Sequence, residues 1–237
     1  MSPQKQMTME ETKPELAQAL EWIKRAAENG YADAQFELGR ACEDGRGVPQ
    51  NWAQAANWYR KAAEQGHARA QCALALLIEL GRCPPSAAGE SIKWFRSAAA
   101  QGYAEAEYQL ALLHAKGLAG EQQFAEAAEW YQRAAEQGHA RAQMGLGSLY
   151  FLGLGVLQDY VQAHMWLNLA AASLPRGREL DQALELRNRV GKLLGPEALV
   201  EAHRLARAWQ ARHRTATAAG LDPVERAAAA LQDSKAT

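Results

Sequence analysis

The chain has 237 residues, 26 basic and 27 acidic side chains, a formal charge of −1, and 51 alanines against three isoleucines and four phenylalanines. The balanced charge argues against a general polyanion binder, which needs a surplus of Lys and Arg. A menu so rich in Ala and so poor in β-branched residues argues against sandwiches, barrels and doubly wound sheets, and for closely approaching helices.

Residues 1–13 (MSPQKQMTMEETK) hold no apolar stretch of signal-peptide length and are expected to be disordered. A repeat then takes over the chain. Tryptophan falls at Trp22, Trp58, Trp94, Trp130 and Trp166, an interval of 36 residues without an insertion. The same interval carries the pairs Ala26-Ala27, Ala62-Ala63, Ala98-Ala99, Ala134-Ala135 and Ala170-Ala171. It also carries Leu38, Leu74, Leu110 and Leu146, and two glycine registers headed by Gly30 and Gly45. The period divides the chain into a half repeat at 14–30 and four repeats at 31–66, 67–102, 103–138 and 139–174.

Each unit reads as two helices. In the second repeat, HARAQCALALLIEL places apolar residues at 70, 74, 77 and 78, and Gly81 ends the helix. A Gly- and Pro-rich turn follows (GRGVPQ, GRCPPS, GLAGEQ and GLGVLQ in successive units). Asn51 and Asp159 are placed to cap the second helix of their units. Neither helix can bury its apolar face alone, so copies must stack into a shared core. The uncharged run from Ala142 to Gln158 is 17 residues long and carries four glycines, so the repeat explains it better than a membrane span does. After Leu174 the period breaks. Residues 178–194 and 196–213 read as capping helices within a segment at 175–214, and 215–237 as an Ala-rich tail.

Few residues suggest chemistry. Three cysteines, Cys42, Cys72 and Cys83, form an odd set that fits free thiols in the cytoplasm. Cys42 and Cys72 fall in packing columns, and Cys83 in a turn is the one candidate thiol for a cysteine-dependent hydrolase. His67 and His139 alternate with Tyr31 and Tyr103, a slot that wants a ring, and His114 falls in a packing column. His164, His203 and His213 show no convergent partners, so no metal site is expected. No phosphate loop, dinucleotide fingerprint, nucleophile elbow or zinc helix motif is present, so neither cofactor nor catalysis is expected. Nine basic and five acidic residues between Arg176 and Arg214 read as a solvated cap and not as a nucleic-acid patch.

The stretch AQFELGRACEDGRGVPQNWAQAANWYRKAAEQG, Ala34 to Gly66, resembles the Sel-one-like repeat family, relatives of the tetratricopeptide repeats. Ala106 to Gly138 and Ala142 to Ala171 follow the same pattern, while the unit from Ala70 departs from it at Cys83-Pro84. The resemblance implies an all-α fold, a right-handed superhelical α/α solenoid of 36-residue helix-turn-helix repeats with C-terminal capping helices. It also implies a concave face lined by the first helix of each unit. The positions on that face are Asp33, Phe36, Arg40 and Glu43; Arg69, Cys72, Leu76 and Glu79; Glu105, Tyr108, Leu112 and Lys116; and Arg141, Met144, Ser148 and Phe151. Of these, Phe36, Cys72, Tyr108 and Met144 serve equally well as core, and the flanking charges are the better groove candidates.

The expected function is a non-enzymatic cytoplasmic adaptor that takes a peptide or helix of a partner protein into this groove. An envelope- or secretion-associated scaffold is the alternative. Neither nucleic acid nor membrane insertion is expected, and the oligomeric state is open. With the Trp column assigned to the space between layers, Trp94→Ala is expected to cost about 3–5 kcal/mol in denaturant unfolding.

Overall fold

The structure, a computed structural model, describes residues 12–83, 89–118 and 122–220. Among the described residues all regular structure is helical: α1 (Thr12–Glu28), α2 (Ala32–Asp44), α3 (Trp52–Glu64), α4 (Ala68–Glu79), α5 (Glu90–Ala100), α6 (Ala104–Lys116), α7 (Phe124–Glu136), α8 (Ala140–Leu152), α9 (Tyr160–Ser173), α10 (Arg178–Gly191) and α11 (Pro196–Gly220). These are the repeating helical hairpins that the period implies. They fall into two compact units, divided in sequence between Leu110 and Ala111 within α6. Of the terminal segments set apart above, residues 1–11 and 221–237 lie outside the described residues, as do 84–88 of the Pro-rich turn.

Local chemistry sets the helix ends. Asn51 Oδ1 accepts from the Gln54 N–H at 3.0 Å, and Asp159 Oδ1 from Val161 and Gln162 at 2.9 and 3.0 Å, satisfying orphan amides of the first turn. His67 and His139 do the same through Nδ1, accepting from Ala70 and Ala142 at 3.1 Å. The slot they share with Tyr31 is thus more than a packing position, because the imidazole supplies a cap that the tyrosine does not. Gly45 and Gly153 close their helices at φ of 71° and 68°. The turns then add a bond that the periodicity leaves unread. Gln50, Gln122 and Gln158 each donate an amide to the carbonyl seven residues back, on Glu43, Ala115 and Phe151, at 2.9, 2.7 and 2.8 Å.

In the first unit one apolar cluster joins α1 through α4, built on Leu20, Phe36, Leu38, Tyr59, Leu74 and Leu77. The tryptophan column is not its centre, which corrects the expectation above. Trp22 is 66 % exposed, and Trp58, Trp94 and Trp130 are half-buried. The residue after each Trp faces inward instead: Tyr59 and Phe95 are 1 % exposed and Leu167 0 %. The small-residue column explains the choice, because a Cβ on Gly39 would stand 2.6 Å from the Tyr59 ring and one on Gly147 2.8 Å from Leu167. The half-exposed Trp rings carry cations, Lys61 Nζ 4.0 Å over Trp58 and Arg133 Cζ 4.6 Å over Trp130.

A second column escapes the sequence reading altogether. Gln35, Gln71 and Gln143 are buried, and each donates its amide to the carbonyl of Ala27, Ala63 or Ala135 on the helix before, at 3.1, 3.1 and 3.2 Å. Gln65 and Gln101 in turn donate to Oε1 of Gln35 and Gln71, at 2.7 and 2.9 Å. The last turn of the column ends differently. Ser173 holds the position of Gln65 three periods on and of Gln101 two periods on, is too short to reach, and Gln143 Oε1 is left buried without a partner.

In the second unit α10 and α11 both pack on α9. Val190 and Ala183 of α10 join small clusters with Ala163, Leu167 and Ala170. Trp209 of α11 meets Trp166 edge-on at 6.1 Å and donates to Glu136 Oε2 at 3.0 Å, so Trp166 is buried where the other tryptophans of its column are not. The three C-terminal histidines do converge with partners, contrary to expectation. His164 and His203 pack ring to ring at 5.2 Å, and His213 stacks on Trp209 at 4.6 Å. His164 is 5 % exposed, and burial, with the charges of His203 and Arg187 adding to it, pushes its pKa down to about 4.

Three measurements check this packing. Phe95→Ala should cost about 3–5 kcal/mol in denaturant unfolding and Trp94→Ala less, about 1–2 kcal/mol, reversing the order that side-chain size implies. Ser173→Gln should supply the missing partner of Gln143 and raise stability by about 1 kcal/mol. Because His164 titrates lower in the folded than in the unfolded chain, its contribution is complete above about pH 6.5 and is lost as the pH falls toward about 4. A urea-midpoint profile should show that acid limb, worth about 3 kcal/mol at most, and His164→Gln should flatten it.

Candidate functional site

In the first unit the stripes of α2 and α4 and the start of α6 enclose a concavity of about 170 Å³. Phe36, Arg40, Glu43, Arg69, Leu76 and Glu105 of the expected groove line it, with Cys72 and Tyr103. The aromatic floor is closed: Phe36 is 6 % exposed, its ring is stacked on His67 at 4.9 Å, and the Arg69 guanidinium lies 4.6 Å above it. Arg40 approaches the same ring at 5.9 Å. Cys72 is buried, and that burial drives its thiol far above the ordinary value. Phe36 and Cys72 are therefore core, and the cations above them are the accessible chemistry.

The acidic members of the stripe differ in exposure: Glu43 and Glu105 are half-buried, while Asp33 and Glu79 are exposed. Glu43 accepts the Tyr59 hydroxyl at 2.5 Å, which together with burial pushes the Tyr59 pKa well up. Glu79 accepts from Ser91 Oγ on α5. Both carboxylates tie a hairpin together. Asp33 faces His67 Nε2 at 3.1 Å, and Glu105 accepts from Gln109 at 2.7 Å. Arg40 makes only a long contact with Glu37, at 3.4 Å, and Arg69 has no carboxylate partner among the described residues. The concavity thus sets the Arg40 and Arg69 guanidiniums beside the Glu43 and Glu105 carboxylates and the half-buried Leu76.

The remaining positions stand apart from this concavity. Tyr108 and Leu112 are half-buried on α6, and Lys116 is exposed at its end. Arg141 pairs with Glu179 of α10 at 2.9 Å, Met144 packs against the clusters that hold α10, and Ser148 Oγ donates to the Met144 carbonyl at 2.8 Å. Phe151 lies under Arg189 of α10 at 5.3 Å. The cap thus engages part of the stripe in the second unit. Two cavities there have no counterpart in the sequence reading, one of about 760 Å³ floored by Trp166 and Trp209 and one of about 410 Å³ beside His164.

The chemistry of a hydrolase finds no support at Cys83. The thiol is partly buried against the first unit's core, and burial raises its pKa, with Arg60 offsetting only part of the effect. A nucleophilic cysteine needs the opposite shift. Among the described residues no group of three or more His, Cys, Asp or Glu could hold a metal ion, and no helix is long and apolar enough to cross a membrane.

Helical hairpins repeating every 36 residues, with small residues such as Gly39 and Gly147 where a facing side chain packs close, define an α/α repeat protein. The Sel1 repeat profile matches residues 11–31, 32–67, 68–103, 104–139 and 140–173, and the chain belongs to the Sel1 repeat family. A protective antigen present in uropathogenic Escherichia coli strains, displaying an SLR fold, is 36% identical with a TM-score of 0.72. That match covers 81% of this chain but 40% of the antigen, so the chain spans well under half of that relative. A Sel1 repeat protein from Oxalobacter formigenes is 29% identical with a TM-score of 0.68, covering 82% of this chain and 75% of the other. No curated protein matches the chain. Sel1 repeat proteins are generally non-enzymatic scaffolds that bind protein partners.

At neutral pH a thiol-reactive probe should label Cys83 more slowly than it labels free cysteine, and Cys83→Ser should leave the fold unchanged by circular dichroism.

Proposed function

We propose that the chain is a cytoplasmic adaptor that captures an acidic linear segment of a partner protein in the concavity of α2, α4 and α6. The observation that carries the reading is Arg69, stacked on Phe36 and without a carboxylate partner among the described residues, with Arg40 on the same ring. A guanidinium fixed over an aromatic face has little freedom left to lose, and its fork carries several donors, so the bond to Tyr103 leaves others for a carboxylate. Leu76 beside it offers an apolar contact for a neighbouring side chain. The concavity, at about 170 Å³, is smaller than the 300 Å³ or so where small-molecule sites begin, and suits one or two anchor side chains of a peptide. The cytoplasmic placement rests on three free thiols, two of them buried.

A second reading, an envelope-associated scaffold, draws on the relative described as a protective antigen. Cell fractionation separates the two by whether the protein is recovered with the cytosol or with the envelope.

Selection of a displayed random-peptide library on the purified chain should enrich sequences that place Asp or Glu beside an apolar residue. Arg40→Glu with Arg69→Glu should weaken the selected peptides at least about tenfold without changing the melting temperature. Arg141→Glu, whose partner is Glu179, should leave that affinity within about twofold. Enrichment of basic peptides, or equal binding by the double variant, would remove the groove from consideration.

A further inference from the structure

The cavity of about 410 Å³ in the second unit is lined from three helices by groups of one electrostatic kind. α9 contributes His164 and Asn168, α10 contributes Arg187 and, just past its end, Lys192, and α11 contributes His203. No carboxylate lines it. Arg187 is held in place by neutral acceptors: Nη1 donates to Asn168 Oδ1 at 3.4 Å, while Nε and Nη2 donate to Asn188 Oδ1 at 3.3 and 3.0 Å. Its charge is therefore oriented but not compensated, and neither Arg187 nor Lys192 has an ion-pair partner among the described residues.

Beside them stands a buried imidazole. His164 is 5 % exposed and contributes to the cavity wall, and its Nδ1 is buried with no hydrogen-bond partner. Gly191 leaves room beside the ring, since a Cβ there would stand in ordinary van der Waals contact, 3.5 Å from Nε2. Two histidines alone suggest a metal ion, but an arginine and a lysine on the same wall repel a cation. Every charge that the cavity has, or gains on protonation, is positive.

The geometry points to a small-molecule oxyanion site in the cap, formed by Arg187, Lys192, His164 and His203 and suited to a dianionic phosphate group. Arg and Lys bring two full positive charges and the imidazoles further donors, which matches a dianion better than a single carboxylate. The volume exceeds that of a bare phosphate and lies in the range of small-molecule pockets, so the natural ligand is a phosphorylated small molecule. The site is separate from the groove of the first unit, and its test does not depend on that reading.

The probe is inorganic phosphate, added to the full chain at constant ionic strength while histidine ring signals are followed by NMR. Phosphate should move the His164 and His203 signals saturably, with a dissociation constant of about 1 mM or tighter. Bound anion favours the imidazolium, so the His164 midpoint should rise from about 4 to above about 5 when phosphate saturates. Chloride at equal ionic strength should do neither. Arg187→Gln with Lys192→Gln should weaken phosphate at least about tenfold. If that pair disturbs folding, Lys192→Glu on the exposed residue alone should weaken it severalfold. Unmoved signals, equal shifts with chloride, or unchanged affinity in a folded variant would each overturn the site.

Discussion

A buried side-chain amide in three of the hairpins fixes where the helix pair meets the helix before it. Gln35, Gln71 and Gln143 donate to Ala27, Ala63 and Ala135, carbonyls of the last turn of α1, α3 and α7 that also accept the backbone N–H of Gly30, Gly66 and Gly138. Such a bond contributes about 1 kcal/mol when made, but a buried amide left unmade costs about 1–3 kcal/mol, so the penalty enforces one register. The alanine pairs follow from the same constraint. Ala27, Ala63 and Ala135 are at most 1 % exposed, and a larger side chain there would hold the glutamine away from the carbonyl. The abundance of alanine noted in the composition is in this sense the imprint of a hydrogen bond. A solenoid that relied on apolar area alone could slide by a turn at each interface with little loss.

How much of this was legible depends on what the period could report. It placed the hairpins, the Asn51 and Asp159 caps and the glycine ends, because each of those depends on residues close in sequence. It misplaced the tryptophans because a recurring residue shows that a position matters without showing which way it faces. The facing is set by the small column opposite: Gly39 and Gly147 accept the rings or branches of Tyr59 and Leu167, one residue on from the Trp. The glutamine column recurs at the same period, with Glu107 in its third place, yet polar residues at helical spacing read as a solvated face. Only burial distinguishes a Gln that ties two helices from one that faces water.

The groove was legible as a stripe and not as a set of open and closed groups. Spacing put Glu43, Glu79, Arg40 and Arg69 on one face, but the carboxylates reach across their own hairpins to Tyr59 and Ser91 while the guanidiniums do not. Charges that spacing leaves equivalent are divided in space between hydrogen-bonded carboxylates and guanidiniums held over Phe36. The cap was hidden for a different reason. Beyond Leu174 no column remains to compare, so nothing in α10 or α11 could be aligned with α9, and the meeting of His164 with His203, 39 positions apart in sequence, depends wholly on tertiary packing.

Selectivity in such a protein has few places to reside. The Ala, Gly, Leu and Gln columns are held by packing and by buried hydrogen bonds, so any change there costs fold before it changes binding. What varies from repeat to repeat within this one chain is the set of groove positions: Phe36, Cys72, Tyr108 and Met144 along the centre, and Asp33, Arg69, Glu105 and Arg141 along one side. The central set varies in volume, and the first two members are buried. Its variation therefore adjusts how each hairpin packs and what stands above it. Phe36 shows the consequence, because its ring is what holds Arg69 in place. The side set alternates in sign, and each charge is engaged according to its neighbour: Asp33 with His67, Arg141 with Glu179, and Arg69 with the Phe36 face and the Tyr103 side chain. An array can in this way keep one backbone and one core while a few substitutions at facing positions decide which rim charges remain for a partner.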